Sequence, residues 1–140
     1  MPRIPVLKED FPLEVKKIDE SLIYRVVVKR LTVSEKPDKN DNHFLKLDSE
    51  VVEPVEWRGR HILDNYIPIP PQLTADMDQG DRRAAEELGV RIARLLTCFR
   101  VPSVEGGFDT EGATGCMGDV TAQNEDFEGR NLVRVREYLI

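Results

Sequence analysis

The order of hydrophobic patterns along this chain constrains its fold more than any other feature. Three β-branched stretches come first, one stretch with helical spacing follows, and two further β-rich stretches joined by a short polar turn come last. Strict alternation of apolar and polar residues predicts strands, whereas recurrence at three and four residues predicts an amphipathic helix. The chain is therefore expected to form three strands, a helix and a two-stranded hairpin, in that order.

The first two β-rich stretches, residues 21–33 and 43–53, are separated by charged turn formers at 34–42. The first stretch carries apolar groups on both faces, and its alternating apolar set is Ile23, Val27 and Leu31. The second stretch alternates cleanly, and its predicted core face holds Leu45, Leu47, Ser49 and Val51. The residues between the two stretches predict a solvated loop.

The third β-rich stretch, residues 60–69, leaves open which of its faces lies inside. Ile62 and Tyr66 compete with Leu63 and Ile67 for the core. The prolines that follow end this strand, because proline cannot donate to a sheet ladder.

Helical spacing begins at Asp81 and ends before Pro102. The predicted core side of the helix holds Ala84, Ala85, Leu88, Ile92, Leu95, Leu96 and Phe99. Several arginines lie on the other side, namely Arg82, Arg83, Arg91 and Arg94. Because Glu86 and Glu87 are helical neighbours of these arginines, ion pairing within the helix is predicted in preference to contact with nucleic acid.

Residues 103–116 are rich in glycine and predict a loop without the Lys-Ser/Thr end of a phosphate-binding loop. Residues 117–124 and 130–140 are the predicted fourth and fifth strands, and residues 125–129 are the hairpin turn between them. This element order is that of the OB-fold. We predict a mainly β protein, a five-stranded OB-fold-like Greek-key barrel with one helix between strands three and four. Residues 21–140 form this single domain, after an N-terminal arm of residues 1–20 that contains three prolines.

Composition narrows the functional classes. The chain is 40% hydrophobic and 33% charged, and no run is apolar and long enough to predict a membrane span or signal peptide, so we expect a cytoplasmic protein. Two cysteines are too few for a zinc ribbon, and the two histidines lie in no metal or nucleophile motif. We therefore expect no metal, no cofactor and no enzymatic activity. A net charge of -6 argues against nucleic-acid binding through the whole surface, but a local basic groove remains open.

The final strand raises a specific question. If Val133, Val135 and Leu139 face the barrel interior, then an outward stripe is expected at Arg134, Arg136 and Tyr138. Such a stripe suits a nucleic-acid groove. It is equally expected of an exposed strand whose arginines pair with carboxylates on neighbouring strands, such as Asp48 and Glu50. Both interpretations are open at this point.

OB-folds usually bind ligands on the outer face of strands two and three, framed by the loops that join strands one to two and four to five. This model gives candidate nucleic-acid contacts on the second strand, the two loops and the last strand: Phe44, Lys46, Lys36, Lys39, Phe127, Arg130, Arg134, Arg136 and Tyr138. Further candidates of lower rank are Arg60, Tyr66 and Trp57. A single tryptophan is more often packing than a stacking surface, and packing is the preferred interpretation of Trp57.

Several stretches also resemble a known group, the small phage-type proteins that are single-stranded-DNA-binding proteins or related OB-fold proteins of unassigned role. The resemblance is carried by "FLKLDSEVVEP", "WRGRHILDNYIPI", the helix "AAEELGVRIARLL" and the hairpin "GDVTAQNEDFEGRNLVRVREYL". It implies non-sequence-specific single-stranded DNA binding in phage or viral replication or recombination, without a cofactor, in the host cytoplasm. It also implies replication or recombination proteins as further partners. The alternative is a protein-protein adaptor or assembly component, in which exposed Phe44 and Tyr138 would form a subunit interface, including that of a homodimer.

Overall fold

The computed structural model describes residues 17–39, 41–70, 74–105 and 107–140. Five strands are formed by these residues: β1 (Ile23–Val33), β2 (Phe44–Glu53), β3 (His61–Pro68), β4 (Met117–Phe127) and β5 (Arg130–Tyr138). Two α-helices lie between β3 and β4, namely α1 (Gln79–Cys98) and the short α2 (Thr110–Ala113). A 3-10 turn, Val55–Trp57, links β2 to β3.

The strands form a closed barrel in the order β1-β2-β3-β5-β4. All neighbours are antiparallel except β3 and β5, which run parallel and are joined at one register position, Leu63 opposite Arg134. With α1 between β3 and β4, this is an OB-fold-like barrel, and the predicted fold class is confirmed.

The barrel interior is filled as the clean alternation of β2 predicts. Leu45, Leu47, Ser49 and Val51 all lie inside. The Ser49 hydroxyl, which is the polar member of this set, donates to the carbonyl of Ile62 at 2.6 Å. A buried hydroxyl needs such a partner, and β3 supplies it.

A bulge in β1 changes which face is buried. The register moves between Val28 and Arg30, so that Lys29 is an extra residue relative to β2. Tyr24, Val26 and Val28 are inside before the bulge and Leu31 is inside after it, whereas Ile23 is 60% exposed. The alternating set predicted for this strand therefore does not share one face, because a bulge shifts the two-residue period by one position.

A second bulge resolves the ambiguity of β3. Leu45 pairs with Ile67 while Leu47 pairs with Asp64, so β3 holds one more residue than β2 between these pairs. Ile62, Asp64 and Ile67 are consequently inside, and Tyr66 is exposed. One residue of each predicted apolar set is thus inside, Ile62 from the first and Ile67 from the second. The reason is that the strand face that points inward changes at Asn65 and Tyr66.

A third bulge corrects the orientation predicted for the last strand. Thr121 pairs with Glu137 but Ala122 pairs with Val135, so Arg136 is the extra residue. Beyond this point the buried position is Tyr138, which is 2% exposed, and Leu139 is only half-buried. The prediction that Tyr138 faces outward is wrong, because strict alternation was extended through a bulge.

Helix α1 begins two residues before the predicted start. The Asp78 side chain caps it by accepting a hydrogen bond from the Asp81 amide at 2.7 Å. The helix packs on the barrel mainly through its second half, where Leu95, Cys98 and the following Phe99 are buried. The glycine-rich stretch predicted as a loop contains α2, whose Ala113 is fully buried.

The segment before β1 is fixed to the barrel. Ile18 is buried, and its backbone amide and carbonyl both bond to the side chain of Asn124 on β4, at 3.0 and 2.8 Å. The Tyr24 hydroxyl donates to the carbonyl of Asp19 at 2.6 Å. The domain therefore begins before residue 21, and the rest of the predicted arm, residues 1–16, lies outside the described residues.

Candidate functional site

An open groove crosses the outer face of β1, β2 and β3 at the end where the β1–β2 loop begins. We refer to this cavity of about 750 Å³ as the groove. Its polar and charged lining residues are Arg30, Thr32, Ser34, Glu35, Lys36, Lys46, Asp48 and Asn65. Its apolar lining residues are Val33, Phe44, Leu47 and Leu63. A cavity of this size with mixed lining can hold a drug-sized ligand or part of a polymer.

Phe44 is the aromatic member of the groove lining. Its ring contacts that of Tyr66 with 4.9 Å between centroids and 49° between planes. The Lys46 ammonium lies 5.7 Å from the centroid of the Phe44 ring, within the range of a cation–π contact. Two adjacent aromatic rings and a lysine thus form one cluster, which we call the aromatic cluster (Phe44, Lys46 and Tyr66).

Strand register places further cations on the same outer face. Arg30 is opposite Asp48 on β2, Asp48 is opposite Leu63 on β3, and Leu63 is opposite Arg134 on β5. Residues paired across neighbouring strands point to the same side of the sheet. Arg30 and Arg134 therefore lie at the two ends of one outward row, with the groove-lining Leu63 between them.

Charge within the groove is mixed. Three cations line it, Arg30, Lys36 and Lys46, against two carboxylates, Glu35 and Asp48. Asp48 accepts a hydrogen bond from His61 Nδ1 at 2.5 Å, which occupies one of its oxygens. The local balance is thus positive in a chain whose overall charge is negative.

The β1–β2 loop, which contributes Lys36 to the lining, folds around Asp38. The Asp38 amide donates to the Asn42 carbonyl at 2.9 Å, and Asp38 Oδ1 accepts from the Asn42 amide at 3.0 Å. Asp38 Oδ2 accepts from the Tyr66 hydroxyl at 2.6 Å, which raises the pKa of Tyr66 above its ordinary value. Lys39 is exposed on this loop beside Asp38.

The two arginines of the last strand interact with the protein itself. Arg134 donates to Glu125 on β4 at 2.7 Å, and this carboxylate raises the pKa of the guanidinium. Arg136 donates to the hydroxyl of Thr121 at 3.4 Å and to the carbonyl of Glu20 at 3.3 Å. Neither residue lines the groove. Arg134 therefore pairs with a carboxylate on a neighbouring strand, as one of the two interpretations expected. The carboxylate is Glu125 on β4, and not Asp48 or Glu50 on β2.

Tyr138, predicted as the aromatic end of this stripe, belongs to a buried polar cluster. Its hydroxyl donates to Asp64 Oδ2 at 2.7 Å, and Arg91 of α1 pairs with the same carboxylate oxygen. Burial, followed by the charge and hydrogen bond of Asp64, raises the pKa of Tyr138. Arg91 thus pairs across to β3, which corrects the expectation of pairing within the helix. Sequence reasoning did not foresee this cluster.

Four remaining candidates lie outside the groove lining. Trp57 is buried, with the Arg60 guanidinium 5.7 Å from its ring centroid, so packing is the correct interpretation of Trp57. Phe127 and Arg130 are paired opposite each other at the tip of the β4–β5 hairpin, and both are exposed. The hairpin tip is therefore not part of the groove lining.

Of the twelve residues that line the groove, Lys36, Phe44 and Lys46 were sequence candidates, and the other nine were not; Arg30 and Asn65 are two of these nine. Arg30 precedes the core residue Leu31, so the two-residue period already placed it on the outer face. Asn65 is part of the β3 bulge, and no periodic signal could have assigned its direction.

Within the described ranges, no cluster of three or more histidine, cysteine or acidic side chains is arranged to bind a metal ion. No helix in the described part of the chain combines the length and apolar character needed to cross a membrane. No protein-family model matches the sequence, and a search of curated proteins finds no relative.

Proposed function

We propose that this protein binds single-stranded nucleic acid, and DNA in particular, through the groove and without strong sequence preference. The groove would hold a short stretch of the strand, with bases against the aromatic cluster and phosphates near the surrounding cations. The setting we propose, phage or viral replication or recombination, derives from the family resemblance of the sequence alone.

The observation that carries this proposal is the placement of Phe44 in a groove with three cations on the outer face of a barrel. Arg30, Lys36 and Lys46 line the same groove as the partly exposed Phe44 ring, and the Lys46 ammonium lies 5.7 Å from the centroid of that ring. Stacking of a base on an aromatic ring contributes about 1–3 kcal/mol, and it tolerates any base because every base has a π-face. Stacking combined with cations at the backbone gives affinity without base readout.

The charge distribution makes the expected affinity modest. Glu35 and Asp48 lie in the same groove, and they repel phosphate. With three cations engaged, log K should fall with log[salt] with a slope of roughly -2, taking about -0.7 per neutralised phosphate on a single strand. Binding is therefore expected at low salt and should weaken measurably at physiological salt.

Fluorescence anisotropy of a labelled oligothymidine, titrated with protein over a salt series, tests the proposal. A duplex of equal length is the comparison ligand, and it should bind much more weakly because its bases are not available for stacking. Arg30→Gln should weaken binding and lower the salt slope, whereas Arg83→Gln on the exposed side of α1 should change neither. No binding of the single strand at low salt would refute the proposal.

One observation favours a second function, that of a protein-protein adaptor. A separate surface contains the apolar residues Leu22, Ile23, Pro54 and Val55, of which Ile23 is 60% and Val55 70% exposed. The charged residues Arg25, Glu53 and Asp119 also line it. Exposed apolar groups gathered in one place are typical of interaction sites. Light scattering of the protein, compared with that of an Ile23→Ser/Val55→Ser variant, tests for self-association. Concentration-dependent dimerisation that the double substitution abolishes would support this function.

A further inference from the structure

Resting on the proposed function, we propose that Tyr66 is a positioning residue. Its hydroxyl holds the β1–β2 loop in place, so that Lys36 and Lys39 contribute to the charge that a single strand meets at the groove. The ring of Tyr66 supports Phe44, but the hydroxyl has this separate role.

The geometry of Asp38 supports this role. Oδ2 of Asp38 accepts from the Tyr66 hydroxyl at 2.6 Å, while Oδ1 accepts from the Asn42 amide at 3.0 Å. The Asp38 carbonyl also accepts from the amide of Asp41 at 3.0 Å. Asp38 is therefore the residue around which the loop folds, and it is also the residue to which Tyr66 of β3 bonds.

Tyr66 connects the middle of the β1–β2 loop to the aromatic cluster of the groove. Its ring lies against Phe44 with 4.9 Å between centroids, and its hydroxyl reaches Asp38 in the loop. Lys36 lines the groove two residues before Asp38, and Lys39 follows Asp38 directly. Removal of the hydroxyl would leave the aromatic ring in place and remove this hydrogen bond between β3 and the loop that carries both lysines.

Replacement of Tyr66 by phenylalanine separates the two roles. Phenylalanine keeps the ring, and base stacking on rings does not need a hydroxyl. The number of phosphate contacts, in contrast, is reported by the salt dependence of binding, and each lost contact changes the slope by about 0.7 on a single strand. A change in salt slope is therefore the signature of a lysine that no longer reaches the strand.

The experiment compares wild-type protein, Tyr66→Phe, Lys36→Gln/Lys39→Gln and the triple variant by anisotropy with oligothymidine over a salt series. We expect Tyr66→Phe to weaken binding at low salt roughly two- to tenfold, the effect of one hydrogen bond. Its salt slope should become shallower by up to about 1.4, the contribution of two phosphate contacts. In the background without the two lysines, Tyr66→Phe should have no further effect on the slope.

Tyr24→Phe is the matched control. It removes a hydroxyl that also donates over 2.6 Å, to the carbonyl of Asp19, and Tyr24 does not line the groove. Its salt slope should equal that of the wild type. The positioning role would be overturned if Tyr66→Phe kept the wild-type salt slope. It would also be overturned if Tyr66→Phe changed the salt slope equally with and without the two lysines. In both cases the proposed function would stand. Failure of the wild-type protein to bind would overturn both.

Discussion

Tyr138 and Asp64 meet inside the barrel, where the tyrosine hydroxyl donates to Oδ2 of the carboxylate at 2.7 Å. Asp64 is fully buried, and Arg91 from α1 pairs with the same oxygen. Oδ1 of Asp64 has no hydrogen-bond partner among the described residues. A buried carboxylate needs compensation by charge and hydrogen bonds, so this cluster ties the helix to β3 and β5.

Removal of the Arg91 charge should therefore destabilise the protein. Arg91→Gln leaves the Asp64 carboxylate with Tyr138 as its remaining donor in the cluster, and we expect a loss of about 2–4 kcal/mol in the free energy of unfolding, measured by urea denaturation. Arg94→Gln, at an exposed position on the same helix, is the control and should change it by less than about 0.5 kcal/mol. Equal stability of the two variants would contradict a structural role for the ion pair between Arg91 and the buried Asp64.

Alkaline pH should destabilise the fold through its buried tyrosines. Burial raises the pKa of both Tyr138 and Tyr24 in the folded protein, whereas an unfolded tyrosine ionises near pH 10. The stability that these groups contribute is fully present below about pH 10 and is lost above it, by up to about 1.4 kcal/mol per pH unit for each tyrosine.

Tyr138→Phe isolates this effect. Between about pH 10 and 11 the free energy of unfolding should decline less steeply in the variant than in the wild type, by about one proton equivalent. The quantity to compare is the slope against pH from urea denaturation, because the substitution also lowers stability at neutral pH by removing a donor to Asp64. Identical slopes would show that Tyr138 ionises in the folded state as easily as in the unfolded state.

Gly118 is required where β4 passes the end of α1. A Cβ at this position would lie 2.8 Å from the carbonyl oxygen and 2.8 Å from the Sγ of Cys98. Because one of these atoms is backbone, Gly118→Ala should force the helix end away from the strand and cost about 1–3 kcal/mol of stability. Gly112→Ala in α2 is the matched control, since its Cβ would meet nothing within 4 Å. Thermal unfolding of the two variants should separate them clearly.

Asn124 should hold the segment before β1 in place. Its side chain bonds both the amide and the carbonyl of Ile18, and Asn131 donates to Asn124 Oδ1 at 3.3 Å. Asn124→Ala should lower stability by about 1–2 kcal/mol, as expected when hydrogen bonds are lost and backbone groups are left without partners. Hydrogen exchange of the Ile18 amide should become faster. Unchanged protection of that amide would show that burial of Ile18 alone fixes the segment.

The order of the strands and the helix along the chain could be predicted from the sequence. This order depends on the hydrophobic pattern of each whole stretch, and one extra residue within a strand does not change the type of that pattern. The core of β2 was predicted correctly, since Leu45 through Val51 are free of any shift that changes their face. The inward faces of β1, β3 and β5 were not predicted correctly, because each strand contains a bulge. Residues that follow the extra residue point to the opposite side from the one that strict alternation predicts. Bulges at Lys29 and Arg136 leave no compositional mark in the sequence.

The same reasoning explains what was foreseen of the groove. Phe44 and Lys46 belong to the regular part of β2, so their outward direction followed from alternation. Tyr138 was assigned to the wrong side because it follows the bulge at Arg136. The Asp64–Arg91–Tyr138 cluster joins three separate elements, and a pattern within one element carries no information about such contacts.

The single register pair between β3 and β5 has a consequence for the order in which the barrel forms. The β1–β2–β3 meander and the β4–β5 hairpin each join strands that are consecutive in the chain, and such contacts form early. The contact between β3 and β5 must bring together residues such as Asp64 and Tyr138, which are 74 positions apart, and the backbone guides it through one register pair, whereas β1 and β4 pair over five positions. We therefore expect closure to come late in folding, and the side chains of the buried cluster to decide how fast the closed barrel opens again.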